Sequence, residues 1–295
     1  MYDIEKIYQA KSIPDAIDAL LADPKAIIIS GGSDVLIKIR EGKLAGCSLV
    51  SIHGIKELEG IYLEQDGTIV IKPGTSFSHV TYNEIIQKYI PILGNAVDQV
   101  GGPQIRNIGT IGGNICNGVT SADSASTLFA LNAVVEITGK AGKRTLPIAD
   151  FYKSAGKVNL EHGELVTAIY ISKDNYEGFG GHYIKYAQRN AMDIATLGCA
   201  VNVKLSSDKT TIEDMRLAFG VAGPVPMRCH ETEKLVKGQK ITPELFEQVG
   251  KTAITEVNPR TSWRASKEFR LQLVEELSKR ALKQAIVFAG GAIYE

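Results

Sequence analysis

The chain has 295 residues, 44% of them apolar, and its 33 Lys and Arg balance 33 Asp and Glu. That length suits two or three packed domains, and the neutral balance excludes the basic surplus that drives unspecific binding to nucleic-acid phosphates. No apolar stretch approaches the ~18 residues of a membrane span, and the N-terminal stretch lacks the basic, apolar and small-residue succession of a secretory signal, so the expected location is cytoplasmic.

Ile13, Ala16, Ile17, Leu20 and Leu21 recur at helical spacing, and Pro24 stops that helix before an apolar run over 26–29 that reads as a buried strand. Beyond the pair Gly31-Gly32, residues 35–40 predict a short helix and 48–52 a strand, which together make a compact α/β unit. Ile61 and Leu63 face Ile69 and Ile71 across Gln65-Asp66-Gly67, hairpin chemistry in which glycine accepts a positive φ. Helical stretches over 76–88 and 91–100 lead to a second glycine loop at Thr110, and a helix over 123–131 feeds a strand over 133–138. Each glycine pair is thereby assigned to its own α/β lobe. A strand over 165–171 closes the region, and the polar, glycine-rich run 174–181 predicts a linker. Strands over 183–187, 197–204 and 215–221, followed by helices over 232–236, 243–257 and 265–289, predict an α+β domain.

Cys47, Cys116, Cys199 and Cys229 lie far apart and form no C-x-x-C pair, so no iron–sulfur or zinc site is expected in this chain, and the thiols read as small buried hydrophobes. No nucleophile–base–orienter constellation stands out, and no catalytic residue is assigned.

The glycine pairs carry the chemistry. A dinucleotide diphosphate must be met by converging backbone N–H groups, which requires positions where no Cβ holds the chain at a distance. Ser30-Gly31-Gly32-Ser33 and Thr110-Ile111-Gly112-Gly113-Asn114 meet that demand, and both are flanked by hydroxyl or amide side chains. Neither G-x-G-x-x-G opening a helix nor G-x-x-x-x-G-K-[ST] occurs, which disfavours a Rossmann dehydrogenase and a P-loop NTPase. Asp34 and Asp123 each read equally well as helix caps or ligand contacts.

The strings IIISGGSDVLIKI (27–39), GGPQIRNIGTIGGNICNGVTSADSA (101–125) and SWRASKEFR (262–270) closely resemble the FAD-binding subunits of bacterial molybdenum-containing xanthine dehydrogenases, and the likeness covers essentially the whole chain. Within the wider molybdenum hydroxylases the glycine loops resemble carbon monoxide dehydrogenase medium subunits, while Asn117 to Asp123, Lys185-Tyr186-Ala187 and Met192-Asp193-Ile194 look closest to the xanthine dehydrogenase branch. The resemblance implies an α+β chain: a two-lobed PCMH-type, vanillyl-alcohol-oxidase-like FAD-binding domain over 1–178, then a smaller α+β domain over 179–295 like the carbon monoxide dehydrogenase flavoprotein C-terminal domain. It further implies non-covalent FAD held by Ile27, Ile28, Ile29, Ser30, Gly31, Gly32, Ser33 and Asp34 of the first loop and by Gly109, Thr110, Ile111, Gly112, Gly113 and Asn114 of the second. Asp123 would bind the ribityl or adenosine portion, Val166 would offer backbone contacts, and Lys185 would bring a cation near the isoalloxazine that favours the reduced flavin. An aromatic ring that mammalian members place by the flavin falls at Val100, so the stacking partner is unassigned; none of the five histidines sits in a glycine loop.

The implied function is that of an oxidoreductase subunit in purine metabolism. Substrate hydroxylation would occur on a molybdenum-cofactor subunit, electrons would arrive through iron–sulfur clusters of a second partner, and the flavin would pass them to NAD+, the three kinds of chain forming a heterotrimer. Ferredoxin or oxygen stay open as acceptors, and carbon monoxide, nicotinate or aromatic thioesters as substrates of the complex. Two rival readings are a self-contained flavin reductase or oxidase, and a non-enzymatic scaffold whose glycine pairs are only turns.

Overall fold

The computed structural model describes residues 2–293. The first lobe runs β1 (Ile4–Gln9), α1 (Ile13–Leu21), β2 (Ala26–Ile29), α2 (Val35–Arg40) and β3 (Cys47–Ser51). Its strands are parallel in the order β1-β3-β2, the arrangement that helical crossovers permit. Ser12 caps α1 by accepting from the Asp15 N–H, and Pro14 lies in its first turn. Alternate strand positions serve opposite faces: Ala26 and Val50 pack with Ala16, Ile17 and Leu20 of α1, whereas Ile27, Ile29 and Leu49 pack with Leu36 and Ile39 of α2.

The second lobe begins with β4 (Ile61–Leu63) and β5 (Ile69–Ile71), whose turn holds Gly67 at φ +85°. Six helices follow: α3 (Phe77–Tyr82), α4 (Glu84–Tyr89), α5 (Pro91–Val97), α6 (Pro103–Ile108), α7 (Ile111–Cys116) and α8 (Asp123–Ala130). The predicted continuous helix over 76–88 is broken at Asn83, whose side chain accepts from the Ile85 and Ile86 N–H groups and starts α4 afresh. Then come β6 (Val134–Gly139), β7 (Gly142–Pro147), α9 (Ile148–Phe151), the ribbon β8 (Tyr152–Ser154) and β9 (Lys157–Val158), and β10 (Leu165–Ile171). The antiparallel sheet β4-β5-β10-β6-β7 presents Ile69, Ile71, Val135, Ile137 and Ile169 to Leu93, Val97, Ile111, Ile115 and Leu128 of the helices. Each such buried Ile or Leu contributes about 1.5–3 kcal/mol, which holds α7 and α8 firmly where they border the site described below.

The C-terminal sheet is β11 (Phe179–Tyr186), β12 (Leu197–Leu205), β13 (Ile212–Gly220) and β14 (Met227–Arg228), antiparallel in that order. The helices α10 (His230–Val236), α11 (Pro243–Glu256) and α12 (Lys267–Phe288) cover one face; the other turns Tyr183, Ala200 and Ala218 into the second-lobe core beside α5 and α8. The run 174–181 is therefore not all linker, since Gly180 and Gly181 lie within β11. A Cβ on Gly180 would stand 2.2 Å from the Ala289 nitrogen, so its glycine serves the close packing of α12 and not chain flexibility. The 262–270 string fastens the start of α12: Ser266 caps it, and the buried Arg270 donates to the carbonyls of Thr196 and Arg260 and, at 2.8 Å, to Ser262 Oγ. Among the described residues no helix is long and apolar enough to cross a membrane.

Candidate functional site

A cleft of about 590 Å³ opens where the two lobes meet, and residues just after β11 form part of its wall. From the first lobe it is lined by Ile28 and by the whole turn from Ser30 to Asp34. Gly32 has φ +77°, a backbone conformation that glycine adopts without strain. Among the described residues the N–H groups of Gly31, Gly32, Ser33 and Asp34 donate to no acceptor. Four consecutive unpaired donors beside a cleft are an anion-binding concavity by their chemistry. Asp34 stands at the N-cap position of α2 but makes no capping hydrogen bond, so the capping alternative for it is not realised.

The second glycine pair is built differently from the expectation. It is not a loop: Thr110 caps α7, and Gly112 and Gly113 lie in that helix's first turn. Its donors are already committed. The Ile111 N–H donates to Thr75, Gly112 to Pro73 and Asn114 to Thr110 carbonyls, and Gly113 donates to Thr110 Oγ1 at 3.1 Å. The two glycines have separate jobs. A Cβ on Gly112 would lie 2.3 Å from Pro73 Cβ, whereas one on Gly113 would meet only Thr110 Oγ1, at 3.0 Å, and otherwise enter the cleft. Asn114 is oriented by Ser124, which donates to its Oδ1 at 2.7 Å, leaving its amide N–H groups without an acceptor among the described residues. The loops touch each other: Thr110 Oγ1 donates to Ser30 Oγ at 3.2 Å, and a Cβ on Gly31 would overlap the Ile108 carbonyl oxygen at 1.9 Å. Gly31 therefore lets the lobes meet, and Gly109 lies over the ring of Phe77 for the same steric reason.

Asp123 and Lys185 come together in the cleft wall. Lys185 Nζ donates to Asp123 Oδ2 at 2.8 Å and to the Gln99 carbonyl at 2.9 Å, and Tyr183 Oη donates to Asp123 Oδ1 at 2.6 Å. The side chains of Lys185 and Asp123 are only 7% and 6% exposed. Burial pushes the Asp123 carboxyl above the usual carboxylate range against the opposing pull of Lys185, and burial, reinforced by Asp123, holds the Tyr183 hydroxyl well above its ordinary range. Asp123 is not the cap of α8, a position held by Ala122.

Val166 lines the cleft at an irregularity in the pairing of β10 with β6. Beside it Glu164 accepts from Arg144 at 2.7 and 2.9 Å. Ile27 and Ile29 instead direct their side chains into the α2 face of the first lobe, and Ile111 is wholly buried in the second-lobe core. The sequence gives no site role to Lys38, nor to Asn117 and Met192 beyond their place in the strings that resemble the xanthine dehydrogenase branch, yet all three line the cleft; Met192 has φ +53°, rare for a side-chain-bearing residue. For Lys38 the one available signal in the sequence is its proximity to Gly31-Gly32. Phe77 is the one aromatic among the described lining residues, and Val100 lines the cleft as well. Cys116 is also there, but burial pushes its thiol up to about 12, which leaves it protonated and unreactive at neutral pH.

Comparison with known proteins agrees with this architecture. Residues 2–173 match the family model of the FAD binding domain in molybdopterin dehydrogenase, and residues 182–285 match that of the CO dehydrogenase flavoprotein C-terminal domain. The chain is 40% identical over 293 residues to the xanthine dehydrogenase FAD-binding subunit of Escherichia coli O157:H7, covering 99% of this chain and 100% of that one. It is 29% identical to the glyceraldehyde dehydrogenase medium chain of Sulfolobus acidocaldarius, over 96% of this chain and 99% of the relative. Among solved structures, a chain of carbon monoxide dehydrogenase from Hydrogenophaga pseudoflava superposes with a TM-score of 0.92 at 27% identity, over 97% of this chain and 99% of that one.

Proposed function

The chain belongs to the FAD-binding subunits of the molybdopterin dehydrogenases, and from that premise we propose that its inter-lobe cleft holds FAD non-covalently and relays electrons within a xanthine dehydrogenase. The observation that carries the reading is the row of four unpaired N–H groups from Gly31 to Asp34 at the edge of the cleft. We take residues 1–178 as the FAD-binding unit and 179–295 as the C-terminal domain.

When bound, FAD supplies a redox centre able to exchange electrons singly or in pairs. The chain's own residues do the rest. The first loop donates its N–H groups to the diphosphate. The second contributes a wall without a Cβ at Gly113 and the Asn114 amide as a side-chain partner, while the Thr110 hydroxyl, which donates to Ser30 Oγ, ties the two loops together. Val166 offers backbone contacts. The expected role of Lys185 changes with its environment: paired to Asp123, it orients a buried carboxylate and presents a charge already largely balanced, instead of a free cation.

Electrons are proposed to come from an iron–sulfur partner chain, and behind it from a molybdenum-cofactor chain that hydroxylates the purine; NAD+ is the proposed acceptor. The higher identity to the xanthine dehydrogenase relative than to the glyceraldehyde dehydrogenase relative supports the substrate. The test is an assay of the chain purified with its native partners. Xanthine or hypoxanthine should drive NADH formation, while carbon monoxide and nicotinate should not. Turnover with nicotinate alone, or xanthine oxidation that reduces ferredoxin or oxygen but not NAD+, would refute the substrate or the acceptor respectively.

A further inference from the structure

Two cationic side chains line the cleft, Lys38 and Lys185, and only one has its charge balanced. Lys185 is spent on Asp123. Lys38, on α2 directly after the first glycine pair, has no carboxylate within ion-pair distance among the described residues. Its Nζ donates instead to Asn117 Oδ1 at 2.5 Å. Asn117 is the C-cap residue of α7, so this contact crosses from the first lobe to the second. A neutral amide is a weak reason for fixing a lysine, whose side chain carries about 2 kcal/mol of rotamer entropy.

The charges around the cleft point to what else the ammonium serves. Of the four lining carboxylates, Asp123 is paired with Lys185, Glu164 with Arg144 and Asp193 with Arg189. Asp34 has no such partner among the described residues, and it adjoins the unpaired N–H groups of the first loop. Those groups supply hydrogen bonds but only partial charge. A diphosphate entering beside Asp34 therefore needs a full positive charge, and the second glycine pair has no free N–H groups to add. We infer that Lys38 is the cation that neutralises the flavin's diphosphate, with Asn117 steadying its ammonium across the cleft. This rests on the FAD reading and extends it to a residue outside both glycine motifs.

The experiment uses the full chain in its native assembly, stripped of flavin, with FAD and riboflavin as probes. Lys38→Gln removes the charge while keeping a polar side chain with N–H donors. Its FAD dissociation constant should rise about 10- to 100-fold at low salt, as for a lost charge-assisted hydrogen bond. The loss should shrink at high salt through screening, Lys38→Arg should recover most of it, and riboflavin affinity and the melting temperature of the flavin-free protein should not move. FAD affinity of Lys38→Gln within about threefold of wild type, or an equal loss for riboflavin, would overturn the role of Lys38 while leaving the FAD reading intact. A wild-type assembly that takes up no FAD would overturn both.

Discussion

Gly113→Val is expected to give a folded chain that binds no FAD, whereas Gly112→Val, one residue earlier, is expected to damage the fold itself. The difference is steric. A side chain at 113 meets only Thr110 Oγ1 and otherwise occupies the cleft, while one at 112 is driven into Pro73 at 2.3 Å and also threatens the Gly112 N–H bond to the Pro73 carbonyl. Overpacking of this kind costs about 1–3 kcal/mol, occasionally more. Thermal melts of the flavin-free proteins should place Gly113→Val near wild type and Gly112→Val well below it, and flavin titration should find no uptake by Gly113→Val. Full FAD uptake by Gly113→Val would mean that the diphosphate does not pass this wall.

Lys185→Met should destabilise the protein by about 3–5 kcal/mol, the cost of leaving one partner of a buried ion pair uncompensated. The stranded group is Asp123, 6% exposed and held by Tyr183. Its folded-state pKa already lies above the unfolded value of 3.8 because of burial, and loss of the cation raises it further. A carboxylate with a raised folded pKa binds protons more tightly when folded, so stability falls as pH rises above the unfolded value and returns as pH falls through the folded one. The deficit of Lys185→Met should therefore narrow on moving from neutral pH toward about 4. Adding Asp123→Asn should recover part of it at neutral pH, measured as a double-mutant cycle by denaturant unfolding. Additive losses would show that the pair is not coupled.

Much of this architecture is legible in the sequence where local signals agree. The helix α1 has apolar periodicity, a serine cap and an early proline together, and the β4-β5 hairpin has alternation and a glycine turn. The first strand is not legible. Ile4–Gln9 is almost wholly exposed, so no buried face imposes a pattern, and it is defined by parallel pairing with a strand some forty residues away. At the site, sequence points to both glycine pairs but cannot tell their duties apart. Whether a glycine faces an open cleft, as at 113, or a neighbouring chain segment, as at 31 and 112, depends on what lies opposite in space. The pairing of Asp123 with Lys185, 62 residues apart, and the contact of Lys38 with Asn117, 79 apart, are likewise set by tertiary packing. The resemblance to a flavoprotein family identifies Lys185 as important; only its surroundings show that its charge is already balanced.

The most direct test of the cleft's role is the flavin content of the unmodified chain purified with its native partners. Stoichiometric FAD, released into the soluble fraction on acid precipitation, is the predicted result. Absence of flavin even after incubation with FAD, or flavin that stays covalently with the precipitated chain, would contradict it.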